Sequence, residues 1–244
     1  MQRSSTVTTS AAAGGASLPS VLPDGIVGAA AFPPRRPLAP GSIIAIFGSR
    51  LATAEAGATQ VPLPRHLNET SVKIGNEDAP LYYVGPGQIN AQLPFGVQPG
   101  QSVSVVVQTS GRLTAPQTYV IAPVQPAIFT AGDAGVVLNS NGLITASNPA
   151  HIGDVLVIYA NGLGTTDPAV NTGDPSPAAE VTNQVTVTLG GVPVPVQYQG
   201  LTPTLVGLNQ INVLLTGSVP AGDQVPLVVT QNGVPSNAVF LSIH

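Results

Sequence analysis

Short alternations of apolar and polar residues run along the chain, and they come twice. Val72 and Ile74 alternate with polar neighbours, Ile89, Ala91 and Leu93 alternate again, and Val103, Val105 and Val107 form a run of period two. Period two places successive side chains on opposite faces of a sheet and predicts half-buried strands. Ile43, Ile44, Ile46 and Phe47 form a continuous apolar run, as a fully buried strand does. The second half repeats these elements at Val155 to Tyr159, Val185 to Leu189, Ile211 to Leu215, Val225 to Val229 and Val239 to Ile243. Helical periodicity is nowhere sustained.

The two halves match in sequence as well as in pattern. Ser71-Val72-Lys73-Ile74-Gly75 answers to Thr186-Val187-Thr188-Leu189-Gly190, and Gln88-Ile89-Asn90 returns as Gln210-Ile211-Asn212. Gly41 to Phe47 likewise returns as Gly153 to Tyr159. A unit of roughly a hundred residues is a domain rather than a solenoid rung. The expected fold is all-β: two tandem Ig-like β-sandwich domains, over residues 25–125 and 126–244, after an extended N-terminal tail over residues 1–24. Strands separated by turn clusters at short intervals carry that expectation.

The copies differ where edges are concerned. Pro193 and Pro195 stand two apart, and in one strand they would remove two N–H donors facing the same neighbour. That side of the second lobe is expected to be a blocked edge. In the first lobe Asp78 replaces one proline and only Pro80 remains, so its edge is expected to be less protected. Between Tyr198 and Gln210 stand eleven residues against four between Tyr83 and Gln88, and the second-lobe loop Gly162 to Glu180 is rich in Pro, Asp, Asn and Thr.

Composition narrows the classes of function. Charged residues make up 7% of the 244, with Gly 27, Pro 25 and no Cys. A net charge of -4 with one Lys and six Arg excludes the clustered basic face that nucleic acid needs. Arg35-Arg36 reads as a solvated loop beside Pro33-Pro34. No run approaches the ~20 apolar residues of a membrane span. Met1-Gln2-Arg3 is followed by Ser and Thr rather than an apolar signal core, so an export signal is expected upstream if the chain is exported. Scarce Lys, abundant Ser and Thr and the missing Cys favour an extracellular or cell-surface protein.

Candidate chemistry is sparse. His66 lies in a Pro-Leu-Pro-Arg loop, His151 precedes a strand, His244 is terminal, and no Gly-x-Ser-x-Gly elbow accompanies them. Glu77-Asp78 reads as a turn rather than a glycosidase pair. Asp167, Asp174 and Glu180, or Asp133, Asn139 and Asn141, could offer oxygen ligands to calcium, but neither set has the dense spacing of a calcium loop. Gly162-Leu163-Gly164 lacks the third glycine of a phosphate cradle and reads as a turn. No catalytic residue, metal or cofactor is expected. Asn68-Glu69-Thr70 matches the N-glycosylation acceptor pattern at Asn68.

Ile26 to Phe32, Pro37 to Ala52, Ala79 to Asn90 and Asn161-Gly162-Leu163-Gly164 occur in order. Together they resemble an uncharacterised two-lobed Ig-like β-sandwich module of secreted acidobacterial proteins. The likeness covers residues 26 to 243, implies no catalytic residues, and excludes the tail.

Residues 1–24 begin Ser4-Ser5-Thr6-Val7-Thr8-Thr9-Ser10, a stretch of strand propensity, and end with Leu18-Pro19-Ser20-Val21-Leu22-Pro23. Twenty extended residues reach roughly 65 Å, enough to cross a sandwich and lie on a neighbour. The expected function is therefore a non-enzymatic extracellular structural protein whose partners are copies of itself. They would join head to tail into a fibre by strand addition through Thr6, Val7, Thr8, Thr9, Leu18, Val21 and Leu22. The alternative is a carbohydrate or cell-surface binding module using Tyr82, Tyr83 and Tyr198. Aromatic residues are only 4% and Trp is absent, and Tyr83 and Tyr198 share one repeat position expected to be core.

Overall fold

The computed structural model describes residues 17–31, 36–132 and 134–244. The first lobe holds β1 (Ser20–Gly28), β2 (Ile43–Ser49), β3 (Ala56–Gly57), β4 (Thr70–Ile74), β5 (Glu77–Asp78), β6 (Leu81–Val84), β7 (Gln88–Gln92), β8 (Ser102–Thr109), β9 (Arg112–Leu113) and β10 (Gln117–Val120). One sheet runs β1-β2-β7-β6-β3 and the other β10-β8-β4-β5, with β9 on β8. Between them Ile44, Ile46, Val72, Leu81, Ile89 and Val107 are fully buried, as the alternation requires.

The second lobe begins with β11 (Ala127–Ile128), β12 (Thr130–Ala131), β13 (Ala134–Gly135), β14 (Val137–Asn139), β15 (Gly142–Leu143), β16 (Val155–Asn161), β17 (Thr166–Asp167) and β18 (Glu180–Val181). It continues with β19 (Val185–Leu189), β20 (Val192–Val194), β21 (Val196–Leu201), β22 (Asn209–Leu214), β23 (Gly222–Gln231), β24 (Val234–Pro235) and β25 (Val239–Ile243). Its sheets run β15-β14-β16-β22-β21-β18-β17, with β11 on β16, and β20-β19-β23-β24, with β25 on β23. A separate core of Ile128, Leu156, Ile158, Val187, Ile211 and Leu227 fills this lobe.

The sequence repeat is a repeat of registers. Ile44 faces Ala91 across β2 and β7, and Leu156 faces Val213 across β16 and β22. Leu38 bridges Ile121 in parallel, and Ala150 bridges Ile243 in the same way. The all-β architecture of two sandwiches in tandem therefore holds, down to irregular contacts outside the main strands.

The tail does not run to residue 24. Ser20 pairs with Ser49 and Val21 with Gly48 in β1, and Val21 lies in the core at 8% exposure. The register then slips between Val21 and Ile26, so Leu22 to Gly25 form a bulge whose four residues hid the strand from a period-two reading. The prolines also need correction. Pro193 lies in β20, opposite Thr188, but Pro195 falls between β20 and β21, where the chain crosses from one sheet to the other. The two donors they remove thus do not face one neighbour.

Candidate functional site

The two lobes meet through side chains buried between them. The side-chain amide of Asn161, at the end of β16, accepts from the Ile43 N–H at 2.9 Å and donates to the Ile43 carbonyl at 2.8 Å. Gln92 is buried on β7, where its Oε1 accepts from Gly173 N–H at 2.7 Å. Thr172 Oγ1 accepts from Phe95 N–H at 3.0 Å, and Leu63 N–H donates to the Gly173 carbonyl at 2.8 Å. Tyr82 donates its hydroxyl to the Val206 carbonyl at 2.5 Å, and burial holds this phenol well above its ordinary range. The long loops peculiar to the second lobe are the arms that grip the first.

The connector between lobes explains Asn161-Gly162-Leu163-Gly164. Gln125 N–H donates to the Gly162 carbonyl, and a Cβ on Gly162 would stand 2.0 Å from the Gln125 carbonyl oxygen. A Cβ on Gly164 would stand 2.4 Å from the Pro123 oxygen, and both glycines have φ near +80°. What reads as an ordinary turn is the seat of the connector, and only glycine fits it.

The junction also sets direction. Ile43 starts β2 and Asn161 ends β16, so the start of one strand meets the end of its counterpart. Ser49 then lies at the far end of the first lobe and Val155, 42% exposed, at the far end of the second. At the Ser49 end Arg50 Nη2 donates to the Leu18 carbonyl at 2.9 Å, and the hydroxyls of Ser20 and Ser49 are 3.0 Å apart. Ser17, the first described residue, lies at that end, its carbonyl accepting from Arg50 Nε at 3.0 Å.

The sheet edges differ from expectation as well. Leu189 and Val192 close the Gly190-Gly191 hairpin, so the next pair, Thr188 and Pro193, has its backbone groups turned away from each other. Pro193 thus lacks its N–H on the open side of β20. In the first lobe Asp78 holds the same place on β5, and its carbonyl accepts from the Arg65 guanidinium. Lys73 adds an exposed ion pair to Asp78 at 3.5 Å. The first-lobe edge is therefore covered by Arg65, whose distant position in sequence gave no sign of it.

Of the tail residues predicted to act in assembly, Thr6, Val7, Thr8 and Thr9 lie outside the described residues. Leu18 and Leu22 are exposed, while Val21 is spent on the protein's own core. Asn68 is exposed, and its Nδ2, the atom a glycan would take, donates to the Glu55 carbonyl at 3.2 Å. His66 and His151 are exposed, and His244 Nε2 lies 2.8 Å from Asp223 Oδ1. Asp133 is outside the described residues, and among those described no three His, Cys, Asp or Glu side chains converge as metal ligands would. No helix among them is long and apolar enough to cross a membrane.

Tyr83 and Tyr198 do share a repeat position, facing Asn90 and Asn212, but both are half-buried rather than core. Tyr198 donates to the Leu201 carbonyl at 2.6 Å, and burial and then the Glu180 carboxylate raise its phenol above the ordinary range. Tyr119, unmarked by any motif, accepts from Ile26 N–H at 3.2 Å and ties the end of the bulge to the opposite sheet.

Residues 29–121 match the model of the IPT/TIG domain. An IPT/TIG domain is present. It coincides with the first sandwich from the end of β1 to the close of β10. No curated protein matches the chain in sequence. Among solved structures, a Bacteroides ovatus SGBP-B from a mixed-linkage glucan utilization locus, in complex with a heptasaccharide, is similar over 86% of this chain and 43% of its own, at 12% identity and a TM-score of 0.38. An SGBP-B from a xyloglucan utilization locus of Bacteroides uniformis is similar over 92% of this chain and 49% of its own, at 13% identity and a TM-score of 0.29. The chain thus spans less than half the length of either. Domains 5-6 of the S-layer protein SbsC are similar over 92% of this chain and 98% of theirs, at 14% identity and a TM-score of 0.31.

Proposed function

We propose that this is a non-enzymatic extracellular structural protein that assembles head to tail into a fibre through strand addition by its N-terminal segment. One observation carries the reading: the junction runs β2 and β16 in the same sense along the molecule and fastens them with buried hydrogen bonds. Each copy is then a stiff unit with two unlike ends. Ser17, to which residues 1–16 are joined in sequence, stands at one end, and the exposed Val155 stands at the other. A contact between unlike ends does not close on itself and generates a filament. Electron microscopy of the full chain tests this. Filaments that disappear when residues 1–16 are removed are expected; monodisperse monomers at high concentration overturn it.

A second reading, glycan binding, draws support from a shallow cleft beside the junction. Ile43, Tyr82 and Phe129 form an apolar floor, flanked by the amides of Gln88 and Asn90, which bond each other at 2.8 Å. A glycan array bound equally well with and without residues 1–16 would promote this reading over assembly.

A further inference from the structure

The two lobes treat one gap between their sheets in opposite ways. In the first lobe twelve residues, 58–69, connect β3 to β4, and this segment crosses the gap between β5 and β6. Its Leu63 is buried at 8% exposure, and Leu67 packs on the core. Its backbone adds to the sheet edge: the Pro64 carbonyl accepts from Leu81 N–H at 2.8 Å, and Ala58 N–H donates to the Tyr82 carbonyl at 2.8 Å. In the second lobe only three residues, 182–184, connect β18 to β19. The loop that could have crossed is spent instead on gripping the first lobe at Thr172 and Gly173.

The corresponding gap, between β20 and β21, is an open groove of about 400 Å³. Val185, Val187, Val194 and Val196 line it, three of them core residues reaching its floor. Its edge is unmet. Leu214 N–H donates to the Pro195 carbonyl across the Val196–Val213 pair, which makes that pair non-hydrogen-bonded and turns the N–H and C=O of Val196 away from β22. The same geometry holds for Leu81, where Gln92 N–H donates to the Pro80 carbonyl and Leu81 N–H turns out to Pro64. Among the described residues no hydrogen bond is made by the Val196 N–H. On the facing wall Pro193 has no N–H to offer, so an incoming strand can add only along β21.

We infer that the groove between β20 and β21 is the acceptor for the strand around Thr6-Val7-Thr8-Thr9 of a second copy. The inference rests on the assembly reading above and names its site. The first lobe's own plug shows what fits at that position: a short stretch, residues 63–64, with the Leu63 side chain inward and the Pro64 carbonyl turned to Leu81, the counterpart of Val196. Thr-Val-Thr has that pattern, with Val7 inward and its neighbours outward. Sixteen residues before Ser17 span at most about 55 Å when extended, and they start from the end of a copy that faces the second lobe of its predecessor. The single apolar anchor and the backbone bonds supply the contact, as in strand addition generally.

The chain has no Cys, so single cysteines report without background. Thr8→Cys in one preparation of the full chain and Gln197→Cys in another are mixed and oxidised, with Thr118→Cys on β10 as the control partner. A disulfide between Thr8→Cys and Gln197→Cys chains, absent with Thr118→Cys and lost on adding Val7→Asp, is the expected result. Filaments visible without that crosslink overturn the acceptor and leave assembly standing. Neither filaments nor crosslink sinks both. A crosslink forming only within a chain that carries both cysteines overturns the second copy as occupant and assigns the groove to the chain's own tail.

Discussion

Asn161 and Ile43, 118 residues apart, exchange two hydrogen bonds through one side-chain amide and one backbone unit. The Ile43 carbonyl has a second donor in Ala29 N–H at 2.9 Å, so the group that depends on Asn161 is the Ile43 N–H. Asn161→Ala should cost about 1–3 kcal/mol, the price of a buried donor left unpaired. Asn161→Asp keeps an acceptor for the N–H but sets a carboxylate against the Ile43 carbonyl. Its loss should be larger at neutral pH and should shrink as the solution is acidified through the carboxylate range. Chemical denaturation at two pH values checks both, and small-angle scattering should report a looser angle between lobes.

Gly162→Ala meets a carbonyl oxygen at 2.0 Å and a positive φ together. A loss of more than about 2 kcal/mol is expected, because the obstacle is backbone rather than a movable side chain. Gly191→Ala, where nothing lies within 4 Å of the added atom, separates the effect of φ alone from the clash. Thermal unfolding of the two variants should rank them in that order.

Tyr82 keeps its proton in the folded chain to higher pH than a free phenol does, because burial penalises the phenolate. Its contribution to stability is complete below the unfolded value of about 10 and declines as pH rises beyond it, since the unfolded chain ionises first. Tyr82→Phe should therefore cost about 1–2 kcal/mol at pH 7, where the Val206 carbonyl loses its donor. The gap to the unsubstituted protein should narrow above pH 10. Urea unfolding of both at pH 7 and pH 10.5 measures it.

Removing residues 1–16 should leave folding stability unchanged. Removing residues 1–24 should not, because it takes away the Ser20 and Val21 pairing of β1 and uncovers the core that Val21 closes. A difference of about 1.5–3 kcal/mol or more between the two truncations corresponds to losing the burial of one Val with its strand pairing. Unequal melting temperatures would place the true start of the fold within β1.

Arg65→Ala frees the Asp78 carbonyl on the β5 edge. Arg65 is exposed, so the change in stability should stay within about 1 kcal/mol. Association should change more, because an uncovered edge is a template for further pairing. Light scattering across a concentration series should show new aggregation in this variant.

The strands that fill the two cores were legible because alternation records burial directly: Val72, Ile74, Val105, Val107 and their second-lobe counterparts all point inward. The junction was not legible as a site, yet it left a trace. Where the copies diverge, as in Leu214 against Gln92, Gln197 against Tyr82 and Ser49 against Asn161, the polar member of the first and last pairs and the hydroxyl of Tyr82 reach across to the other lobe. A buried polar group needs a partner, and these had theirs in the neighbouring repeat. Arg65 and Tyr119 gave no such sign, because their partners are backbone atoms that any residue could have supplied. β1 escaped because a four-residue bulge breaks the period that would have announced it.

The shared direction of β2 and β16 gives the molecule a front and a back. An array built from it grows with a sense, like a queue in which each member holds the one ahead. Under the proposed assembly, a copy truncated before Ser17 could be held but could not hold, so it would join only at the end where a free tail waits, and a small dose of it would silence that end while the other kept growing.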